Sequence, residues 1–365
     1  DPATGGTLDL SQGLFAELCD RLRAMGGMEP DTDCCVPFSE PCLRVLLDRM
    51  CAEAGVEVLF HAALADVEKD GARLVAATFA CKASLVRAEA PLFVDATGDA
   101  DLAAMAGVPF RVGRESDGLC QPMTLCFRLS GVKDSVPWAE VNARWREAQA
   151  AGRLRNPREN VLAFRPMEPG TVHFNSTRVV KLSPVDPWDL SKAEAEAREQ
   201  MLELHAFLRA EFPVWFAGSR ISSAAPAVGV RESRMVEGRH VLSAEDLLSL
   251  ARFPDAIAAA NYDIDIHSPD GSGTSHHYFG PGEWYTIPYR CLLPREGADN
   301  LLVAGRCISA THEAQASIRV MPIVTTLGQA AGTAAALARK AGVLPPAVDP
   351  SALRAALRED GAFVG

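Results

Sequence analysis

Residues 300–338 read NLLVAGRCISATHEAQASIRVMPIVTTLGQAAGTAAALA. The pattern predicts a short buried strand at Leu301–Ala304, a Gly305–Arg306 turn, a polar loop and a helix starting near Pro322. That helix is built from small residues, among them Gly328, Ala330, Ala331, Gly332 and Ala334–Ala336. A helix so poor in bulk can lie close to a sheet or to a flat ligand. Its first turn offers unpaired N–H groups and the positive end of the helix dipole, which suits an anionic or electron-rich group.

Working outward, 365 residues with 48% hydrophobic content can hold two domains, or one large nucleotide-binding fold with an insertion. A net charge of −11 argues against nucleic acid or an anionic membrane surface as a general partner. No apolar run approaches the length of a membrane span, and residues 1–14 do not read as a signal peptide. The ten cysteines include no C-x-x-C pair and no zinc-ligand spacing. They read as scattered reduced thiols of a cytoplasmic protein, with no metal site. The adjacent Cys34–Cys35 pair is too constrained for a disulfide, and Cys307 stands out only because it follows the Gly-Arg turn.

Upstream, residues 8–25 have helical spacing that stops at Gly26–Gly27. Ser39 and Pro41 open a second helix that ends at Gly55. Strands are expected at Val56–His61, Leu64–Glu68, Arg73–Ala80 and Leu85–Ala88, with a hairpin turn at Asp70–Gly71. An apolar strand at Leu92–Val94 runs into Val94-Asp95-Ala96-Thr97-Gly98-Asp99. A Gly turn at the carboxyl end of a buried strand is where open α/β sheets bind ligands; equally, Asp99 can simply cap the helix 101–106. From about residue 112 to 288 proline, tryptophan and charge become commoner. Strands are expected at Gln121–Leu129 and Thr171–Val180. A helix is expected at Ser191–Phe212, with a Ser191/Glu194 capping box and Pro213 as its stop. Residues 261–283 read as a long irregular loop. A short tail with one amphipathic helix, Ser351–Arg358, closes the chain. The organisation expected is a nucleotide-binding domain from 1–112 and 289–345, a second domain at 113–288 and a tail at 346–365.

Five motifs occur in order: VDATGDADLAAMAGVPF, VGVRESRMVEGRHVLSAEDLL, YDIDIH, WYTIPYRCLLP and NLLVAGRCISATHEAQASIRVMP. Together they resemble the FAD-dependent oxidoreductase family of the glutathione-reductase-like superfamily, over most of residues 40–340. The resemblance implies an α/β fold, a three-layer ββα FAD/NAD(P)-binding domain with an inserted α+β substrate domain, and FAD as redox cofactor. The family opens with a strand, a G-x-G-x-x-G turn and a helix that hold the FAD pyrophosphate. This sequence has no such motif, since Gly5–Gly6 and Gly26–Gly27 lack the spacing. The pyrophosphate element is therefore expected to lie upstream of Asp1 or to have been left out.

On this basis Ala96, Thr97, Gly98, Asp99, Gly305, Arg306, Ser317, Arg319 and Met321 are the expected cofactor-binding residues. An arginine near the flavin pyrimidine edge would stabilise the reduced anion. His312, between the Gly-Arg turn and the small-residue helix, is the first candidate for proton transfer; a loop histidine that only bonds backbone is the competing expectation. Arg231 and Arg290 are candidates for binding an anion, against a salt-bridged network around Glu232 and an ion-paired hinge. Asp265 and His267 share a face if extended, which makes His267 a further catalytic candidate. The function expected is hydride transfer between a small polar organic substrate and flavin N5. The alternatives are a flavin-binding protein without net redox turnover, and a redox-neutral isomerase or lyase.

Overall fold

The computed structural model describes residues 9–30, 36–271 and 273–365. Gly5–Gly6, Cys34–Cys35 and the nearby Asp31 and Asp33 lie outside these residues. Helix α1, Leu14–Ala24, is followed by α2, Glu40–Glu53, whose N-cap Ser39 accepts from the Cys42 amide. A three-stranded antiparallel meander follows, β1 (Ala63–Asp70), β2 (Arg73–Ala80) and β3 (Leu85–Glu89), with Gly71 at positive φ in the first turn. The expected strand at Val56–His61 is absent. Val56, Val58, Leu59 and Phe60 are exposed and pair with no strand among the described residues, so β propensity there has no ladder to join. Strand β4 (Phe93–Asp95) leads to α3 (Asp101–Met105) and β5 (Phe110–Val112).

The middle of the chain forms its own sheet. β6 (Phe127–Ser130), α4 (Trp138–Ala150), β7 (Ala163–Phe164), β8 (Thr171–Phe174), α5 (Pro187–Glu211), α6 (Pro213–Phe216) and β9 (Arg220–Ala224) follow in order. Their four strands pair in the order β7-β8-β6-β9. The strands expected at 121–129 and 171–180 are shorter than predicted. α5 begins earlier than its predicted capping box, because Asp186 accepts from the Trp188 and Asp189 amides. Ser191 bonds back to the Pro187 carbonyl, and Glu194 instead accepts from the Val228 amide. Pro213 does stop α5 and starts α6.

The chain then returns through β10 (Arg234–Val236), α7 (Ala244–Leu248) and β11 (Ala256–Ala260). Residues 261–283 are not an irregular loop. They contain a hairpin of β12 (Ile264–His267) and β13 (Thr274–His277), in register Ile264↔His277 to His267↔Thr274. After β14 (Tyr285–Pro288) comes β15 (Leu301–Val303), which pairs in parallel with β4, Leu301 opposite Phe93. The expected polar loop after it also contains a helix, α8 (His312–Ile318), capped by Thr311. Helix α9 (Met321–Ala341) follows at a 94° bend, and α10 (Pro350–Glu359) closes the chain. Among the described residues no single helix is long and apolar enough to cross a membrane.

The small-residue face of α9 divides in two. Ala330, Ala331, Ala334 and Ala338 are buried, and α9 packs on the all-buried Ala256–Ala260 strand, where alanine permits close approach. Gly328 and Gly332 instead look onto open space, with nothing within 4 Å of a built Cβ. One hydrophobic core draws on residues 74–108 and 236–364 and includes the C-terminal Leu353 and Leu357. A second, around Phe127, Trp145, Phe174 and Leu204, belongs to the middle segment. Mixed helices and strands around these cores make an α/β protein.

Candidate functional site

Parallel pairing of β4 and β15 brings two distant turns to the same end. Asp95, buried at the end of β4, accepts from Thr97 N (3.0 Å), Thr97 Oγ1 (2.7 Å) and Ala103 N (2.8 Å). Thr97 Oγ1 in turn accepts from Asp101 N. Asp95 and Thr97 therefore perform the helix capping expected of Asp99. Asp99 is left to bridge other elements, accepting from Ser233 Oγ at 2.6 Å and Arg306 Nη2 at 2.8 Å. Gly98, at φ 83°, lets the Arg306 guanidinium lie against the turn, since a Cβ there would sit 2.7 Å from Nη1. Ala96 and Thr97 are exposed, Gly305 has positive φ, and Met321 is exposed in the first turn of α9.

These residues fit an electron-rich cofactor. Arg306 Nε and Arg319 Nε are buried donors with no acceptor, and the N-cap of α9, Val320, has no side chain to bond the first-turn amides. A cavity of about 320 Å³ opens beside that helix end, lined by Ser11, Tyr262, Phe279, Val320 and Pro322 among others. Ser317 does not fit its expected role. It is fully buried, donates to the Tyr262 carbonyl and sits 2.6 Å from Tyr285 Oη, a link within the core.

The second half of the site is an acid–histidine pair. Glu232 is fully buried and its Oε1 lies 2.8 Å from His312 Nδ1, while Oε2 accepts from the Gln121 amide at 2.8 Å. Gln121 Nε2 donates to Gln315 Oε1, and Gln315 Nε2 donates to the Arg231 carbonyl. His312, the first residue of α8, lines a cavity of about 470 Å³ with Arg114, Ile266, Ser268, Thr274 and Glu313. Glu232, Gln121 and Arg114 were not among the expected site residues. Of the three, only Glu232 lay in a motif already noticed, where it was expected to pair with its arginine neighbours.

The other candidates separate. His267 is engaged on both ring nitrogens, Nε2 toward Asp265 Oδ2 at 3.2 Å and Nδ1 toward Arg178 Nη2 at 3.1 Å. Burial, opposed by the Asp265 hydrogen bond, pulls its pKa down to about 4. It is a neutral connector at pH 7, with no nitrogen free for proton transfer. Burial works against the Asp265 charge, yet the hydrogen bond from His267 and the charge of Arg319 hold its pKa down to about 2. Arg290 makes a bidentate pair with Asp255, at 2.9 and 3.1 Å, as a hinge arginine would. Arg231 finds no carboxylate; its partners are Pro122 O, Thr124 Oγ1 and Asn175 Oδ1. Cys307 is fully buried and its thiol is pushed up to about 12 by burial, an inert group. Asp263, Asp265 and His276 place three possible metal-ligand atoms within 4.8 Å. His276 and Asp263 already satisfy each other at 2.5 Å, and Arg319 shares the Asp265 carboxylate, opposing a cation.

An uncapped helix end beside one cavity and a carboxylate-paired histidine on another suit a redox cofactor and a substrate held by one enzyme. Residues 4–357 match the model of the FAD dependent oxidoreductase family. The chain belongs to that family, an enzyme family whose cofactor is FAD. Among solved structures it is similar to the flavin-dependent brominase Bmp2, at 14% identity and TM-score 0.43, over 94% of this chain and 69% of that one. It also matches the OxyS anhydrotetracycline hydroxylase from Streptomyces rimosus, at 16% identity and TM-score 0.33, over 56% of this chain and 35% of that one. For p-nitrophenol 4-monooxygenase PnpA from Pseudomonas putida DLL-E4 the values are 10%, 0.37, 89% and 55%. The chain thus spans about a third of the hydroxylase and just over half of the monooxygenase. No curated protein matches the sequence.

Proposed function

We propose that the protein is an FAD-dependent oxidoreductase of the glutathione-reductase-like superfamily acting on a small polar organic substrate in the cleft beside His312. FAD, when bound, supplies a two-electron centre that takes or gives a hydride at N5. Arg306, Arg319, the Gly98 and Gly305 turns and the first turn of α9 at Met321 would hold it. The pyrophosphate is left to a Gly-rich element that these residues do not provide. Glu232 accepts the Nδ1 proton of His312 and so fixes the tautomer in which Nε2 is the free base. His312 Nε2 moves the substrate proton, and the Gln121–Gln315 bridge ties Glu232 to α8. We divide the chain into a discontinuous three-layer ββα cofactor domain and an inserted α+β domain. The return boundary is set near residue 235 rather than 288, because the first core takes in Val236, Leu242 and Ile257. The free thiols of Cys42, Cys51, Cys81, Cys120, Cys126, Cys291 and Cys307 favour a cytoplasmic setting.

The buried Glu232–His312 pair on the wall of a cavity is the observation that carries this reading. The visible spectrum of the purified protein supplied with FAD tests the cofactor, and anaerobic addition of candidate substrates tests the chemistry. Bleaching of the oxidised flavin band supports hydride transfer. Turnover without bleaching would replace it with an isomerase or lyase reaction, and failure to take up FAD would sink the reading.

A further inference from the structure

Arg158, Arg178, Arg231 and Arg319 lie close enough for their charges to act on one another, and among the described residues those charges do not balance. Arg178 pairs with Glu159 at 3.1 Å and Arg319 with Asp265 at 3.0 Å. Arg158, only 4% exposed, has a single guanidinium partner, the Asn160 side-chain oxygen at 3.0 Å. Arg231 bonds only the three neutral oxygens named above. Among the described residues four guanidiniums therefore face two carboxylates, and Arg158 and Arg231 are the pair left over. Glu232, next in sequence to Arg231, is held by His312 and the Gln121 amide. The Cys126 thiol near Arg231 is kept neutral by burial.

Burying a cation without an anion is costly. Burial first, then the charges of Arg319, Arg158 and Arg178, all pull the Arg231 pKa down, the direction expected of a cation that lacks a counter-charge. The free N–H groups of Arg158 and Arg231 are not among the buried side-chain atoms that lack a partner, so they reach solvent. Two links tie them to His312: Arg178 bonds the Gly273 carbonyl and Thr274, which line one cavity with His312, and Glu232, the neighbour of Arg231, bonds His312 itself.

We infer that Arg231 and Arg158 form a subsite for a carboxylate group of the substrate, with Arg178 and Arg319 positioning the wall around it. A planar carboxylate matches the fork of a guanidinium and supplies the missing negative charge. The inference rests on the cleft beside His312 being the substrate site, and it adds the chemical class of what binds there.

The test is equilibrium binding to the purified, flavin-loaded protein by calorimetry. Acetate, succinate and benzoate are each compared with their neutral amides, with inorganic phosphate as a second anion. At least one carboxylate binds and its amide does not. Arg231→Gln and Arg158→Gln each weaken that binding ten-fold or more, while Arg165→Gln, an exposed arginine paired with Glu29, leaves it unchanged. Without ligand, Arg231→Gln melts at or above the parent temperature, because it removes an uncompensated charge; a structural arginine would do the reverse. If a variant fails to fold, Arg231→Lys, which keeps the charge and loses the fork, gives intermediate affinity. Equal binding of amide and acid, no binding by any carboxylate, or tighter binding of phosphate overturns the proposal. A protein that is yellow but binds no carboxylate leaves the flavoenzyme reading standing alone, whereas carboxylate binding without flavin uptake reverses that outcome.

Discussion

Glu232 and His312 come from segments 80 positions apart and meet at 2.8 Å in the interior, with the carboxylate fully buried. The contact fixes which imidazole nitrogen carries the proton. In Glu232→Gln the side-chain amide can donate to Nδ1, which favours the opposite tautomer. Nitrogen-15 shifts of the His312 ring report that change directly, without a substrate. With a substrate that bleaches the flavin, His312→Gln lowers kcat by about 10²–10⁴-fold. Glu232→Gln lowers it on the order of 10²-fold, with an altered pH profile that a purely structural role would not give.

His267 makes stability depend on pH. Its folded pKa, about 4, lies below the ordinary 6.5, so the unfolded chain binds the proton more readily. Stability is full above pH 6.5 and falls as pH drops from 6.5 toward 4, by about 3 kcal/mol at most. Asp265, at about 2 against 3.8, adds its own loss only below pH 3.8. Urea unfolding at pH 7.5 and pH 5 measures the first window. His267→Gln removes most of the difference between those two pH values; an unchanged difference would assign it to other groups.

Gly98→Ala and Gly305→Ala form a matched pair. Both residues have positive φ, which costs an alanine about 1 kcal/mol. Only at position 98 does the new Cβ meet Arg306, 2.7 Å from Nη1; at 305 it meets nothing. Gly98→Ala therefore weakens flavin retention more than Gly305→Ala at similar thermal stability. Fluorescence of released flavin during dialysis compares the two.

Ser317→Ala removes the hydroxyl that links the Tyr262 carbonyl to Tyr285. Loss of a buried hydrogen-bond partner costs about 1–3 kcal/mol. The variant melts lower, while its affinity for FAD is unchanged once it is folded. A selective loss of FAD would restore the cofactor role expected of this serine.

The chain's order of elements was legible because local rules decided it. Ser39 with Pro41, Asp70–Gly71 and the run Leu301–Val303 each carry their structure in a few residues. The misses have a common cause in partners far along the chain. Asp99 reads as a cap until Asp95 takes that work. Glu194 reads as half of a capping box until the Val228 amide claims it. Val56–Phe60 has strand composition without a neighbouring strand among the described residues. The structure sets His312 on a cavity wall, and in the candidate site it was singled out from its place between turn and helix. Its carboxylate was not, because only the folded chain shows which way Glu232 turns within Arg231-Glu232-Ser233-Arg234. Arg290 shows the converse, an expected site arginine that Asp255 occupies.

The parallel register of β4 and β15 also constrains how the molecule is made. Asp99 and Arg306 are 207 positions apart and bond only when both strands are in place. Closing so long a loop is entropically costly and comes late. During synthesis the middle segment, with its own core around Trp145 and Phe174, is complete before residue 301 emerges. The turns proposed to hold the cofactor are therefore assembled last, around a middle segment that already has the means to be folded. Mutations that slow the folding of the middle segment will show first as delayed acquisition of flavin rather than as loss of affinity in the finished protein.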